Sequence, residues 1–268
     1  MSTRLSGKAG DVYIGLQVIH NCEAVWDEVD DADVAEALDP TDVKVGSNSM
    51  KFVCVAGLAD GDIIGSDVVT SMDLTGYTHI MMWAKHSLGC AAADIQLLLD
   101  EDASCATPTK VDLPVLAAAT WKLCIIAEAF TGLDAVISVG LEQNDNDPGA
   151  YDLWVDHICA AKIIAGIKSW TIDLEYDALD TTAFDSSGVK AFLPSLTGWK
   201  GTFEGYKTGA PLTIGSVVHL HLGESATLTQ GFTGSAIITG LHPVGEFAGL
   251  VVYAYDFQGT HEVAIPTT

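Results

Sequence analysis

The chain has 268 residues, of which 49% are hydrophobic and 18% are charged, and its formal net charge is −24. This composition excludes an intrinsically disordered chain, and the length fits one large domain or two ordinary ones. The acidic balance argues against binding to nucleic acid or to an anionic membrane, and no apolar run reaches the roughly 20 residues of a membrane span.

The first part of the chain is predicted to consist mainly of β-strands. Val12-Tyr-Ile14 predict an opening strand, and residues 27–39 carry a short helical pattern. Farther on, apolar runs separated by Asp, Gly and Asn predict strands at residues 50–56, 62–70, 78–85, 94–100, 121–128, 134–142 and 150–159. Short strands at this spacing are typical of a β-sandwich or jelly roll.

The C-terminal part shows alternating apolar and polar residues, which predict an antiparallel sheet with one solvated face. The predicted strands are residues 167–175, 199–206, 217–222, 236–239 and 253–257. In the third of these, His219 and His221 alternate with apolar residues and are predicted to be exposed. The connection from Asp180 to Leu196 is long for a structureless loop, which favours a functional arm.

Charge and cysteine are concentrated between residues 23 and 159. This segment holds 25 acidic residues and 5 lysines, against 11 acidic and 7 basic residues elsewhere, and all six cysteines lie in it or at its edge, from Cys22 to Cys159. We therefore predict one domain from residues 1–22 and 163–268, interrupted by a second domain at residues 23–162. Six cysteines allow 15 pairings, and buried thiols are the default because no secretory signal is visible.

Joined together, the two outer pieces resemble the major tail tube proteins of phages. The resemblance covers almost the whole of the predicted outer domain and rests on the order and spacing of short motifs. These are Leu5-Ser-Gly-Lys8, Val12-Tyr-Ile14, Ile167-Lys-Ser-Trp170, Leu179-Asp-Thr-Thr182, Phe184-Asp-Ser-Ser-Gly188, Phe192-Leu-Pro-Ser-Leu196, Trp199-Lys-Gly-Thr-Phe-Glu-Gly205, Gly234-Ser-Ala-Ile-Ile-Thr-Gly240 and Phe257-Gln-Gly259. Val189 departs from the pattern, because the family often has Trp there.

This resemblance implies a structural virion protein, without enzymatic activity, that assembles with itself into hexameric rings. The stacked rings form a tail tube that carries DNA without binding it specifically. The implied partners are further copies of the chain and the tape-measure, tail terminator and baseplate proteins. The implied location is the virion tail, assembled in the host cytoplasm with no membrane anchor. Contacts between rings are predicted to come from Leu179, Thr181, Thr182, Phe184, Gly188, Phe192, Leu193, Pro194 and Leu196.

The inserted segment resembles carbohydrate-binding jelly rolls. The likeness rests on Val45-Gly-Ser-Asn-Ser-Met-Lys-Phe52, on Asp73-Leu-Thr-Gly-Tyr-Thr-His-Ile80 with Trp83, and on Tyr151-Asp-Leu-Trp-Val-Asp-His-Ile158. It implies host glycans as candidate partners. Because six inserts would block a channel sized for one duplex, we predict an outward decoration domain, on a tail that is non-contractile because a sheath would collide with it. The sequence itself reveals no sugar site.

Two sets of side chains in the inserted segment are candidates for ligand binding. Glu23 and Asp156 lie near its two ends, where adjacent strands would bring them together, and carboxylates suit a structural Ca²⁺. Solvated carboxylates are the alternative. Trp83, Trp121 and Trp154 are candidates for stacking on a sugar, and packing in the core is the alternative.

We therefore interpret the sequence as an all-β chain in which a tail-tube β-sandwich or barrel is interrupted by an inserted jelly roll. The alternative is a glycan-binding module fused to a small β domain. No GxSxG, Walker or HExxH motif points to an enzyme. The chain has so many carboxylates that their number alone does not exclude the pair of catalytic carboxylates that a glycosidase uses.

Overall fold

The computed structural model describes residues 11–26, 33–144, 149–180, 190, 192–207, 209–225, 230–245 and 249–266. Regular structure in these residues is β-strand apart from a 3-10 turn at Ala103–Cys105, so the predicted all-β class is confirmed. The chain divides into two compact units. We call Tyr13–Ile163 the inserted unit, and Met1–Val12 with Ile164–Thr268 the flanking unit.

The first ten strands build a sandwich of two antiparallel sheets in the inserted unit. They are β1 (Val12–His20), β2 (Val34–Asp39), β3 (Ser49–Cys54), β4 (Ile63–Met72), β5 (His79–His86), β6 (Ile95–Asp100), β7 (Thr109–Asp112), β8 (Lys122–Ala127), β9 (Val136–Gln143) and β10 (Tyr151–Ile163). The smaller sheet has the order β4-β9-β6-β7. The larger one is organised around β10.

β10 pairs with β5 on one side, and on the other side first with β3 and then with β1. The change of partner falls between Val155 and Ile158, where the register is irregular and His157 has a φ of 49°. The inner faces of the two sheets bury one hydrophobic cluster that includes Trp26, Phe52, Met82, Leu97 and Leu153. Burial of these apolar faces is the main force that holds the sandwich together.

The flanking unit is an antiparallel sheet of five strands. They are β11 (Ile167–Asp180), β12 (Phe192–Tyr206), β13 (Val217–Gly223), β14 (Gly231–Val244) and β15 (Val252–Gly259), in the order β11-β12-β15-β14-β13. Aromatic rings pack across neighbouring strands on one face. Phe203 stacks on Tyr255 with ring centroids 5.0 Å apart, and Trp199 lies 5.6 Å from Phe257.

The structure corrects several boundaries. The helical expectation for residues 27–39 is wrong for Val34–Asp39, which form β2, and β7 was not predicted at all. The units divide at residues 12 and 13, whereas the predicted boundary lies at residues 22 and 23. The reason is that β1 pairs with β10 from Tyr13 to His20 and so belongs to the inserted unit. At the other end, the division after Ile163 lies beside the predicted one.

Gly201→Ala is expected to destabilise the flanking unit. A Cβ at Gly201 would lie 2.0 Å from the carbonyl oxygen of Thr171 and 2.6 Å from Phe257 Cζ, so the β11–β12 ladder must shift. Overpacking of this kind costs about 1–3 kcal/mol. Gly198→Ala on the same strand is the control, because its Cβ has no heavy atom within 4 Å. Chemical unfolding of both variants measures the difference, and equal stabilities would contradict the described packing.

Candidate functional site

The hairpin of β11 and β12 extends beyond the sheet of the flanking unit. The two strands pair from Ile167 with Gly205 to Asp180 with Phe192, whereas β15 pairs with β12 only over residues 200–206. Within the described residues, 192–199 therefore have one strand neighbour, and β11 is the edge of its sheet. We call residues 174–180 and 192–199 the arm.

The base of the arm exposes apolar side chains. Tyr176 is 71% exposed and Leu174 46% exposed, and they line a cavity of about 240 Å³ together with Trp199, Val263 and Ile265. Two polar contacts fix this region. Lys200 Nζ lies 2.7 Å from Glu175 Oε1, and Trp199 Nε1 donates to the carbonyl of His261 at 2.7 Å. The base of the arm thus combines these two polar contacts with exposed apolar side chains.

The structure describes the predicted assembly residues in part. Leu179 lies in β11, opposite Leu193, and Phe192, Pro194 and Leu196 lie in β12, so the predicted loop ends earlier than Leu196. The side chains of these five residues lie outside the description. Thr181, Thr182, Phe184 and Gly188 lie outside the described residues altogether. Their role in contacts between rings stays a prediction.

The histidines of β13 are not exposed, contrary to the prediction. His219 is 3% and His221 is 1% exposed, because both faces of β13 are covered. His219 Nδ1 lies 3.2 Å from Ser235 Oγ, and His221 Nδ1 lies 2.8 Å from Thr233 Oγ1, both on β14. Burial lowers the pKa of His221 to about 4, so the ring is neutral at pH 7. These contacts link β13 to β14 and indicate a structural role for both histidines.

Glu23 and Asp156 both hold the connection between β2 and β3. Asp156 Oδ2 accepts hydrogen bonds from the backbone N–H groups of Lys44 and Val45 at 2.8 and 2.9 Å. Glu23 Oε1 accepts from Ser47 N at 2.7 Å, and its Oε2 accepts from Asn48 Nδ2 at 3.0 Å. Asp156 therefore holds Lys44 and Val45, and Glu23 holds Ser47 and Asn48, in the same loop.

Asp156 is fully buried at the irregular point of β10, and its Oδ1 has no hydrogen-bond partner among the described residues. Burial raises the pKa of Asp156 to about 7, and the nearby charge of Glu23 adds to this, against the N–H bonds of Val45 and Lys44. The carboxyl is thus poised between its protonated and ionised forms at neutral pH.

The surroundings of Asp156 do not supply the ligands of Ca²⁺. This ion takes six to eight oxygen ligands, but the loop directs N–H groups toward three of the four carboxylate oxygens. In the described ranges, no group of three or more His, Cys, Asp or Glu residues is placed to hold a metal ion. The calcium assignment of Glu23 and Asp156 stays a prediction, and a proton suits the buried Oδ1 better than a cation does.

The outer face of the larger sheet carries tryptophans beneath lysines. Trp83 and Trp154 are each 8% exposed, yet neither belongs to the hydrophobic cluster between the sheets. Lys51 Nζ and Lys85 Nζ lie 4.8 and 4.3 Å from the ring centroid of Trp154, and Lys44 Nζ lies 5.5 Å from that of Trp83. We call these five residues the tryptophan–lysine face. Both tryptophan rings are buried, which agrees with the packing alternative, and a role in stacking on a sugar stays a prediction.

Two aspartates complete the tryptophan–lysine face. Trp154 Nε1 donates to Asp39 Oδ2 at 3.0 Å, and Trp121 Nε1 donates to Asp42 Oδ1 at 2.5 Å. Asp42 also forms an ion pair with Lys85. The pKa of Asp39 is lowered to about 2, chiefly by hydrogen bonds from Thr41. Sequence reasoning named the tryptophans but missed the lysines and aspartates, although Asp39-Pro-Thr-Asp42 at the end of a strand is a visible turn signal.

A polar groove of about 660 Å³ lies between β1 and β4, with His20 and Asp67 among its lining residues. His20 Nε2 lies 2.7 Å from Asp67 Oδ2, and His20 Nδ1 accepts from Cys22 N at 3.0 Å. Because both ring nitrogens are engaged, His20 is not arranged as a base for a nucleophile. The pair links β1 of the larger sheet to β4 of the smaller sheet.

All six cysteines are free thiols, and five of them are buried. Burial raises the pKa of Cys124 and of Cys159 to about 12, which keeps both thiols protonated and unreactive.

The described part of the chain holds no helix that is long and apolar enough to cross a membrane.

Comparison with known proteins gives structural likenesses alone. No protein-family model matches the chain. No curated protein matches it either. A chain from the tail of an empty gene transfer agent particle with C6 symmetry is similar with 14% identity and a TM-score of 0.34, over 40% of this chain and 87% of that one. A chain from the native gene transfer agent virion is similar with 15% identity and the same TM-score, over 40% and 89%.

A chain of a carbohydrate-active enzyme is also similar to this chain. It is the N-terminal endo-1,4-β-D-xylanase 10B of Clostridium thermocellum, with its CBM22-1 and GH10 modules, in complex with xylohexaose. The identity is 13% and the TM-score 0.34, over 58% of this chain and 28% of that one.

Asp156→Asn is expected to gain stability relative to the natural chain as pH rises from about 4 to 7. The folded state raises the pKa of Asp156 from 3.8 to about 7, so folded chains hold this proton more tightly and the natural chain loses stability across that window. The relative change is at most about 4 kcal/mol. Denaturant unfolding at pH 4.5 and pH 8 measures it, with Asp152→Asn as the control.

The same measurement in CaCl₂ and in EDTA tests the calcium assignment. We expect no difference between the two conditions. If Ca²⁺ stabilised the natural chain at pH 8 and left Asp156→Asn unchanged, then Glu23 and Asp156 would be calcium ligands after all.

Proposed function

We propose that the chain is a structural protein of a virion tail that assembles with itself through the flanking unit. The observation that carries this proposal is the arm, a paired extension of β11 and β12 whose apolar base is exposed in the single chain. The tail-tube motifs of the sequence indicate which kind of assembly to expect. The arm gives a physical reason why copies of the chain would associate.

An isolated two-stranded ribbon is marginally stable in water, because it lacks a third strand or a packed face. An unpaired strand edge also invites pairing with another chain. Leu174, Tyr176 and Ile265 expose 46%, 71% and 62% of their surface around the base of the arm. Contiguous exposed apolar groups of this kind mark interaction sites. A second copy of the chain satisfies all these requirements at once.

The assembly is a ring, because head-to-tail contacts that close by rotation give a finite object. Following the resemblance, six copies form each ring, and stacked rings form the tail tube for DNA delivery. Tape-measure, tail terminator and baseplate proteins contact its ends. Low content of Lys and Arg, 12 residues in 268, keeps the lumen from holding phosphate. Rings form in the host cytoplasm and end in the virion.

The inserted unit decorates the outside of this tube. A domain of its size has a radius of gyration of about 14 Å, and six such domains would block a channel sized for one duplex. Outward projection also excludes a contractile sheath. The chain is not an enzyme in this proposal, and polysaccharides incubated with it remain intact.

Leu174→Asp and Tyr176→Asp are expected to abolish assembly and leave the monomer folded, because a charge at the base of the arm cannot be buried against a second copy without a partner. Negative-stain electron microscopy and sedimentation velocity measure rings and tubes. Leu88→Asp is the matched control, since Leu88 is 60% exposed in the inserted unit. A natural chain that stays monomeric at high concentration would refute the proposal.

A second function, adhesion of the inserted unit to glycans, is favoured by one observation. Trp83 and Trp154 lie on the outer face of adjacent paired strands, where Asp156 is opposite Trp83 and Lys85 is opposite Trp154. Neighbouring tryptophans on one sheet face offer apolar surface and N–H donors to a sugar. In the folded chain this face is covered, so adhesion requires that the cover be displaced.

A further inference from the structure

The connection from β2 to β3 crosses the tryptophan–lysine face and is fastened along its whole length. Asp39 and Asp42 bind Trp154, Trp121 and Lys85, as described above. Farther along, the backbone N–H groups of Lys44 and Val45 donate to Asp156, and that of Ser47 donates to Glu23. We call this connection, residues 40–48, together with Asp39 at the end of β2, the strap.

The contacts described for the strap are hydrogen bonds, the ion pair of Asp42 with Lys85 and the position of Lys44 over the Trp83 ring. None of the residues 40–48 is buried, and none belongs to the hydrophobic cluster between the sheets. By contrast, the residues that flank it, Leu38 in β2 and Met50 in β3, pack in that cluster. Segments with few buried apolar contacts are the ones that open locally while the rest of a protein stays folded. The strap can therefore leave the sheet without unfolding the sandwich.

Opening the strap would uncover Trp83 and one side of Trp154. The Lys44 side chain over Trp83 belongs to the strap and departs with it. Lys85, over Trp154, is anchored by Asp42 and becomes free to turn away. Lys51 stays, because it forms an ion pair with Asp152 at 2.8 Å outside the strap. While the strap is closed, the carboxylates of Asp39 and Asp42 accept the hydrogen bonds of the Trp154 and Trp121 indole N–H groups, which a ligand would use.

We propose that the strap is an autoinhibitory segment that closes the tryptophan–lysine face in cis, and that release of Asp42 from Lys85 and Trp121 opens the face to a ligand. That the ligand is a neutral oligosaccharide rests on the proposed glycan adhesion. Its hydroxyl groups would replace the two aspartates on the indole N–H groups, and its C–H faces would stack on the exposed rings.

The first test measures opening without any ligand. In the full chain, Asp42→Asn removes the ion pair and weakens the bond from Trp121. Hydrogen exchange of the Lys44, Val45 and Ser47 amides is expected to accelerate about tenfold or more, with unchanged exchange in β3. Quenching of tryptophan fluorescence by acrylamide is expected to increase in parallel.

Asp152→Asn is the matched control, because it breaks an ion pair on the same face that does not involve the strap. Lys85→Met is a second opening variant that keeps the apolar stem over Trp154. The proposal is overturned if neither opening variant accelerates exchange in the strap, or if Asp152→Asn accelerates it equally.

The second test adds cellohexaose and maltohexaose as probes in calorimetric titrations. Asp42→Asn is expected to bind one of them at least about tenfold more tightly than the natural chain, as the competing cover is removed. The double variant Asp42→Asn, Trp154→Ala is expected to lose that gain. If the strap opens and neither sugar binds, glycan adhesion is refuted while the strap stands. Tighter binding by the natural chain than by Asp42→Asn would overturn autoinhibition.

Discussion

The inserted unit depends on the hydrogen bonding of one strand, β10. This strand must satisfy its backbone groups against β5 on one side and against two successive partners, β3 and β1, on the other. The change of partner coincides with a break in the regular ladder, which falls between Asp156 and Cys159, where His157 has a positive φ. Irregular points of this kind redirect side chains.

The position of Asp156 follows from that constraint. Its carboxylate lies on the same face as Trp154, one residue before the irregularity, where it is fully buried and accepts hydrogen bonds from two N–H groups of the strap. Topology, buried charge and loop position are thus linked at one residue. The same strand carries Trp154 two positions earlier, so β10 supplies both a ring that the strap covers and a carboxylate that holds the strap.

Much of the fold could be predicted from the sequence, because alternating apolar residues report directly on strands. The strands from β3 to β6 and from β8 to β15 follow predicted runs. β2 was missed because Glu36 and Asp39 interrupt a short apolar pattern, and β7 because Thr109-Lys-Val-Asp112 has four residues and one buried side chain.

The site was harder to predict, because its parts come from distant segments. The pairing of Asp42 with Lys85 and Trp121 joins residues 43 and 79 positions apart, and periodicity carries no information about such contacts. The histidines of β13 show the same limit in the opposite direction. Alternation placed them on a solvated face, whereas the fold covers both faces of that strand. The sequence pattern shows on which face of a strand a side chain lies. Whether that face is covered depends on the tertiary structure.

The distribution of the free thiols has a practical consequence. Only Cys90 is partly accessible, while the other five cysteines are enclosed by the sandwich of the inserted unit. A maleimide reagent would therefore attach a single dye or heavy-atom label to each native chain, at a defined place next to β5 and remote in sequence from the arm. Complete alkylation would report loss of the sandwich, so mass spectrometry can follow the unfolding of this unit.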